Sequence, residues 1–277
     1  MTSPSVPLDP PRRTLLVGFG KLAVRLAPRL LADGGEVFAL RRSEGDLPEG
    51  VVGLRADLSA PLTEPLPDVD AVVVTLPPPG GVDGYRIALT HLAAALPALP
   101  ARTVFVSSTG VFEGSASDHP ITEQDEPVPT SDRSRGLYDG ERAAIELFGA
   151  VVVRPSGIYG PGRGFLLRQV REQATVNHRR RTNRIHEVDL VRALDLLLRM
   201  PEPPALVHAV DEAPVPLGEV VSYIAGELGL PVPPDDTSAE PTGLVHDGTL
   251  LRSLLGILDY PTYREGYDEM LAGEPRA

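Results

Sequence analysis

The chain has 277 residues, of which 42% are hydrophobic, enough for one large α/β unit or one domain with a small lobe. Acidic side chains (38) outnumber basic ones (26), and the net charge of −12 disfavours nucleic acid and anionic lipid as partners. With no cysteine, disulfides, thiolate metal sites and thiol nucleophiles are excluded, and no apolar run approaches the length of a membrane span.

Residues 1–11 are proline-rich and lack a signal-peptide core, so they read as a loose tail and a cytoplasmic location is expected. Strand and helix signals then alternate. Thr14–Val17 reads as a buried strand, and Lys21–Ala32 as a helix that Pro28 would kink. Val37–Leu40, Val51–Leu54 and Ala71–Thr75 read as strands, Tyr85–Leu96 as a helix and Thr103–Val106 as a strand. Gly136–Phe148 reads as a helix, Val151–Val153 as a strand, Glu187–Arg199 as an amphipathic helix and Leu206–Val210 as a short strand. Leu217–Leu228 is a further helix, followed by a loop rich in Pro and Asp at 231–242. This alternation predicts an α/β fold of Rossmann type, a doubly wound parallel sheet with a small C-terminal lobe.

Gly18-Phe19-Gly20-Lys21-Leu22-Ala23 joins the first strand to the first helix in the form G-x-G-x-x-A. Gly18 permits the tight turn, Gly20 lets the backbone approach a pyrophosphate, and Ala23 is small enough for close packing of helix on strand. The acidic residue that usually follows the second strand and binds the adenosine ribose is absent, and Arg41 and Arg42 stand there instead. Two guanidinium groups suit a 2′-phosphate, so NADP rather than NAD is expected.

Three further segments carry a family likeness: Ser107-Ser108-Thr109-Gly110-Val111-Phe112, Val153-Arg154-Pro155-Ser156-Gly157-Ile158-Tyr159-Gly160-Pro161-Gly162, and Asn183-Arg184-Ile185-His186-Glu187-Val188-Asp189-Leu190. With the glycine turn, they make the chain resemble the extended and atypical short-chain dehydrogenase/reductases, the NAD(P)-dependent epimerase/dehydratase group, from about residue 13 to residue 270. The resemblance implies that Asp57, followed by Leu58, contacts the adenine, and that Leu76 and Pro77 lie along the ribose and phosphate. It places Pro155 and Ile158 beside the nicotinamide. Ser108 matches the catalytic Ser/Thr, with Thr109, Gly110 and Phe112 toward the substrate. Tyr138 and Arg142 match the Tyr and Lys of Tyr-x-x-x-Lys. A tyrosine is too weak an acid to act as a base near neutrality unless a cation favours its phenolate, and one helical turn is the right spacing for that. Arginine supplies the charge but does not enter a proton relay.

The resemblance also implies a dinucleotide-binding domain at 12–154 plus 187–210 and a substrate lobe at 155–186 plus 211–277. It places Arg184, near the exposed-looking run Arg179-Arg180-Arg181, where it could recognise an anionic substrate such as the diphosphate of a nucleotide sugar. No metal is expected: His186, Glu187 and Asp189 have poor ligand spacing and suit capping better. The expected activity is an oxidoreductase, epimerase or dehydratase acting on a hydroxylated or carbonyl small molecule, in a monomer or homodimer. The alternative is a non-catalytic NADP(H)-binding sensor, a reading favoured by Arg142.

Overall fold

The computed structural model describes residues 9–78 and 80–272, so most of the expected N-terminal tail lies outside the described residues. In chain order the elements begin with β1 (Arg13–Val17), α1 (Lys21–Ala32), β2 (Glu36–Arg41), β3 (Val51–Arg55), β4 (Ala71–Val74), α2 (Gly84–Ala95) and β5 (Arg102–Val106). A single 3₁₀ turn (Thr109–Phe112) precedes α3 (Asp132–Phe148) and β6 (Val151–Pro155). There follow β7 (Gly157–Tyr159), α4 (Phe165–Arg171), β8 (Arg181–Thr182), β9 (Arg184–His186), α5 (Glu187–Arg199) and β10 (Leu206–Ala209). The chain ends with β11 (Val215–Pro216), α6 (Leu217–Leu228), α7 (Thr249–Leu255) and α8 (Tyr263–Ala272). No helix among the described residues is long and apolar enough to cross a membrane.

Two compact units result. The first holds the chain up to Gly114, Pro127–Arg154 and Val191–Val207; the second holds Ser115–Glu126, Pro155–Leu190 and the chain from His208 onward. The sheet has seven strands in the order β10-β6-β5-β4-β1-β2-β3, and β1 to β6 pair with one another in parallel. Its central strands are apolar on both faces because helices cover both: Leu15, Leu16, Val17, Val72, Val73, Val74, Val104 and Phe105 are all buried. Helix α1 turns Leu22, Ala23, Leu26, Ala27 and Leu30 to the core at helical spacing, and it runs unbroken through Pro28. Each fully buried leucine contributes about 1.5–3 kcal/mol.

Helices α2 and α3 pack closely because α3 carries glycines at one face. A Cβ on Gly140 would lie 2.8 Å from the Tyr85 ring, and one on Gly136 would lie 3.3 Å from the Gly81 and Val82 carbonyls. The glycine that weakens α3 as an isolated helix is therefore what admits Tyr85. In the second unit α4, α6 and α8 enclose a core of Tyr159, Leu167, Val170, Val220, Ile224, Tyr267 and Met270, beside two-stranded pairs β7–β9 and β8–β11.

Candidate active site

Strands β2 and β3 lie to one side of β1, and β4, β5 and β6 to the other. The chain reverses direction across the sheet between β1 and β4, and a crevice opens beyond the carboxyl ends of such strands. Gly18 leaves β1 at φ +87°, and a Cβ there would lie 3.1 Å from the Thr75 carbonyl and 3.2 Å from the Leu76 nitrogen. The Thr75 hydroxyl donates to the Gly18 carbonyl at 2.8 Å, and Gly18 N–H donates to the Leu40 carbonyl at 2.9 Å. Gly20 differs: nothing lies within 4 Å of the Cβ it lacks. Gly20 and Lys21 are exposed, whereas Leu22 and Ala23 are buried under the sheet. These last two offer a ligand only their backbone.

A cavity of about 390 Å³ opens at this point, lined by Gly18, Leu40, Arg41, Arg42, Asp57, Leu58, Leu76 and Pro77 among others. Residues scattered over 60 positions of sequence are thus brought to one wall. Asp57 accepts from Ser59 N–H at 2.9 Å; that bond, the Ser59 hydroxyl and the nearby Arg42 charge hold its carboxyl below the usual range. Tyr85 donates its hydroxyl to the Leu76 carbonyl at 2.9 Å, which fixes the segment after β4.

Ser108 follows β5, and its hydroxyl accepts the Gly110 N–H at 3.1 Å, capping the 3₁₀ turn. Thr109 is half-buried and Gly110 exposed, but Phe112 is 1% exposed and faces inward, with the Arg154 guanidinium 5.0 Å over its ring. Phe112 therefore belongs to the interior and does not offer its ring to a substrate. Tyr138 is half-buried and Arg142 exposed on α3. Glu146, one helical turn beyond Arg142, pairs with Arg86 of α2 at 3.0 Å, and Arg86 also grips Asp139.

The neighbouring residues Ser107, Glu141 and Arg154 form a polar network. Ser107 donates its hydroxyl to Glu141 Oε1 at 2.6 Å; Arg154 donates Nε to the same oxygen at 2.9 Å and Nη2 to Oε2 at 2.7 Å. Glu141 is 2% and Arg154 3% exposed. Sequence reasoning missed this network, although an arginine inside the apolar run Val151-Val152-Val153-Arg154 signals a buried charge that must have a partner.

Within the second unit, Pro155 is buried and Ile158 half-buried on β7, which pairs with β9. Arg184, expected to face an anionic substrate, is 4% exposed. Its guanidinium donates to the Ala213 carbonyl and the Thr182 hydroxyl and lies over the Tyr263 ring, so it serves the unit's interior. The run Arg179 to Arg181 is exposed. Asp189 accepts the Asp259 and Tyr260 N–H groups at 2.9 Å each, and Glu187 pairs with Arg163 at 2.9 Å. Asp211 is buried with its Oδ1 on Ala213 N–H, and burial raises its carboxyl to about 7 against the pull of Arg184.

A glycine turn, an open crevice at the strand-order reversal and an aspartate beyond β3 define a dinucleotide-binding protein of the Rossmann class. Residues 86–184 match the model of the RmlD substrate binding domain. No curated protein matches the chain. Among solved structures, one described as an NAD-dependent epimerase/dehydratase from Methylobacillus flagellatus is 27% identical, with 95% of this chain and 98% of that one covered and a TM-score of 0.77. MoeE5 in complex with UDP-glucuronic acid and NAD is 21% identical over 94% of this chain and 98% of its own, at 0.75. The Bordetella bronchiseptica enzyme WbmG in complex with NAD and UDP is 15% identical over 95% and 94%, at 0.75. The chain has the extended short-chain dehydrogenase/reductase fold of the NAD-dependent epimerase/dehydratase family.

The expectation of NADP is corrected. MoeE5 and WbmG both contain NAD. The arginines read as a 2′-phosphate site are not a matched pair either. Both line the cavity, but Arg41 turns its guanidinium onto the Gly45 and Asp46 carbonyls of its own loop.

Proposed function

We propose that the chain is an NAD-dependent enzyme of the epimerase/dehydratase type acting on a nucleotide sugar. The observation that carries this reading is the single wall formed by Gly18, Asp57, Leu58, Leu76 and Pro77 at the sheet's reversal point. The open space over Gly20 fits a pyrophosphate, which the exposed N–H groups at the start of α1 would bind. Asp57 would meet the adenine, and Leu76 and Pro77 the ribose. When bound, NAD supplies a hydride acceptor. The chain's own contribution is orientation and proton movement. Tyr138 would take the proton from a substrate hydroxyl, Ser108 would hydrogen-bond the same oxygen with Thr109 and Gly110 beside it, and Arg142 would favour the phenolate.

The test is reduction of bound NAD, followed at the nicotinamide absorbance band, with UDP-glucose and UDP-glucuronic acid as probes. Tyr138→Phe should lower the rate about 10²–10⁴-fold with NAD affinity unchanged, and Arg142→Lys should retain activity. Wild-type turnover that survives Tyr138→Phe removes the tyrosine from this role. Tight NAD binding with no reduction by either sugar would favour the second reading, a dinucleotide-binding protein without turnover, for which arginine in place of lysine at position 142 is the supporting observation.

A further inference from the structure

The Ser107–Glu141–Arg154 network ties together three elements that each carry a part of the proposed site. Ser107 is adjacent to Ser108; Glu141 is three residues from Tyr138 and next to Arg142; Arg154 is the last residue but one of β6 and lies over the ring of Phe112 in the 3₁₀ turn. Its side-chain contacts all run to α3: from Ser107, the residue after β5, and from the two-pronged arginine of β6. Ser107 N–H also donates to the Val153 carbonyl at 2.8 Å, which closes the triangle through backbone.

Stability alone does not account for such a group. Two charges withdrawn from water lose hydration that their attraction only about repays, and apolar side chains of similar size often serve as well or better. What apolar side chains lack is direction. Packing alone would let α3 slide or rotate against β5 and β6, whereas a bidentate guanidinium–carboxylate contact accepts one register. A slip of one residue moves a side chain about 1.5 Å along the helix axis, and a misplacement of about 1 Å can cost roughly 10²-fold in rate.

We propose that the buried Glu141–Arg154 pair, with Ser107, is a positioning device that sets Tyr138 against Ser108 for catalysis. This inference rests on the reaction proposed above. None of the three residues touches substrate in this assignment; they act through their neighbours.

The experiment replaces the whole network at once, because a single Glu141→Gln leaves the Arg154 charge buried without a counterion and risks misfolding. In Ser107→Ala/Glu141→Leu/Arg154→Met no polar group is orphaned. The melting temperature and NADH affinity should hold, and KM for UDP-glucuronic acid should stay, while kcat falls roughly 10²-fold. Amide hydrogen exchange should quicken at 107–112 and 135–145 and stay unchanged in β1 and α1. Arg154→Lys keeps the charge without the fork and should fall between wild type and triple variant. Wild-type kcat in the triple variant overturns the proposal, as does a loss of kcat matched by equal losses of melting temperature and NADH affinity. Should wild type itself reduce no bound NAD, the reaction fails while the positioning is still decided by exchange: unaltered protection in both segments overturns it.

Discussion

The two glycines of the turn after β1 differ in what a side chain would meet. Gly18 is required by the protein, since its φ of +87° and its closeness to Thr75 both exclude an L side chain. Gly20 meets nothing of the protein within 4 Å, so its bareness serves whatever approaches from outside. Gly20→Val should therefore fold, losing about 0.5–1 kcal/mol at the start of α1, and should fail to bind NADH in a fluorescence titration. Normal binding would show that the turn does not hold phosphate. This contrast is invisible in the G-x-G pattern, which scores both positions alike. Arg41 teaches the same lesson: adjacency in sequence suggested a pair of guanidinium groups, but the carbonyls of Gly45 and Asp46 claim one of them.

At the level of elements, α3 is fixed at its start as well as its middle. Glu113, one residue beyond the 3₁₀ turn, accepts from the Thr130 hydroxyl at 3.1 Å, Ser131 N–H at 3.0 Å and the Ser134 hydroxyl at 2.8 Å. These bonds, led by those of the Ser131 and Ser134 side chains, hold its carboxyl down to about 2. A depressed carboxylate contributes stability that is complete above its unfolded value, near 4.5, and vanishes as pH falls through about 2. Melting of wild type against Glu113→Gln should accordingly show a small wild-type advantage at pH 7 that shrinks below pH ~4.5; a constant offset down to pH 2 would contradict it. The start of α3 was not legible because Ser134 completes the capping box where the usual signature asks for Glu or Gln. Long periodic helices such as α1, α5 and α6 were read to the residue. Helix α8 has the same periodicity in Tyr263, Gly266, Tyr267 and Met270, but Gly266 reads as a breaker. The structure gives the reason: a Cβ there would lie 2.3 Å from the Tyr159 ring. Strands of two or three residues, such as β8 and β11, have no period to detect.

Across the whole molecule, charge is distributed unevenly in kind as well as in sign. The chain is acidic, with a net charge of −12, and nearly all of its cationic side chains are arginines. Many of these are committed to fixed contacts, among them Arg86 with Asp139 and Glu146, Arg154 with Glu141, and Arg163 with Glu187. The planar fork explains the choice, since each grips a carboxylate in a set geometry. The same substitution hid the site in part: Arg142 occupies the position where family likeness calls for lysine, whereas the buried network next to it could only be seen once three elements were assembled. Lysine occurs once, at position 21, exposed on the first turn of α1 beside Gly20. The molecule therefore carries a built-in reporter. Acylating reagents discriminate between ammonium and guanidinium groups, so a stable side-chain amide can form only at Lys21, beside the glycine turn. Intact mass after brief acetylation should gain one side-chain acetyl group in the bare protein and lose that gain when NAD is present at saturation, which turns cofactor occupancy into a mass difference that needs no substrate and no turnover.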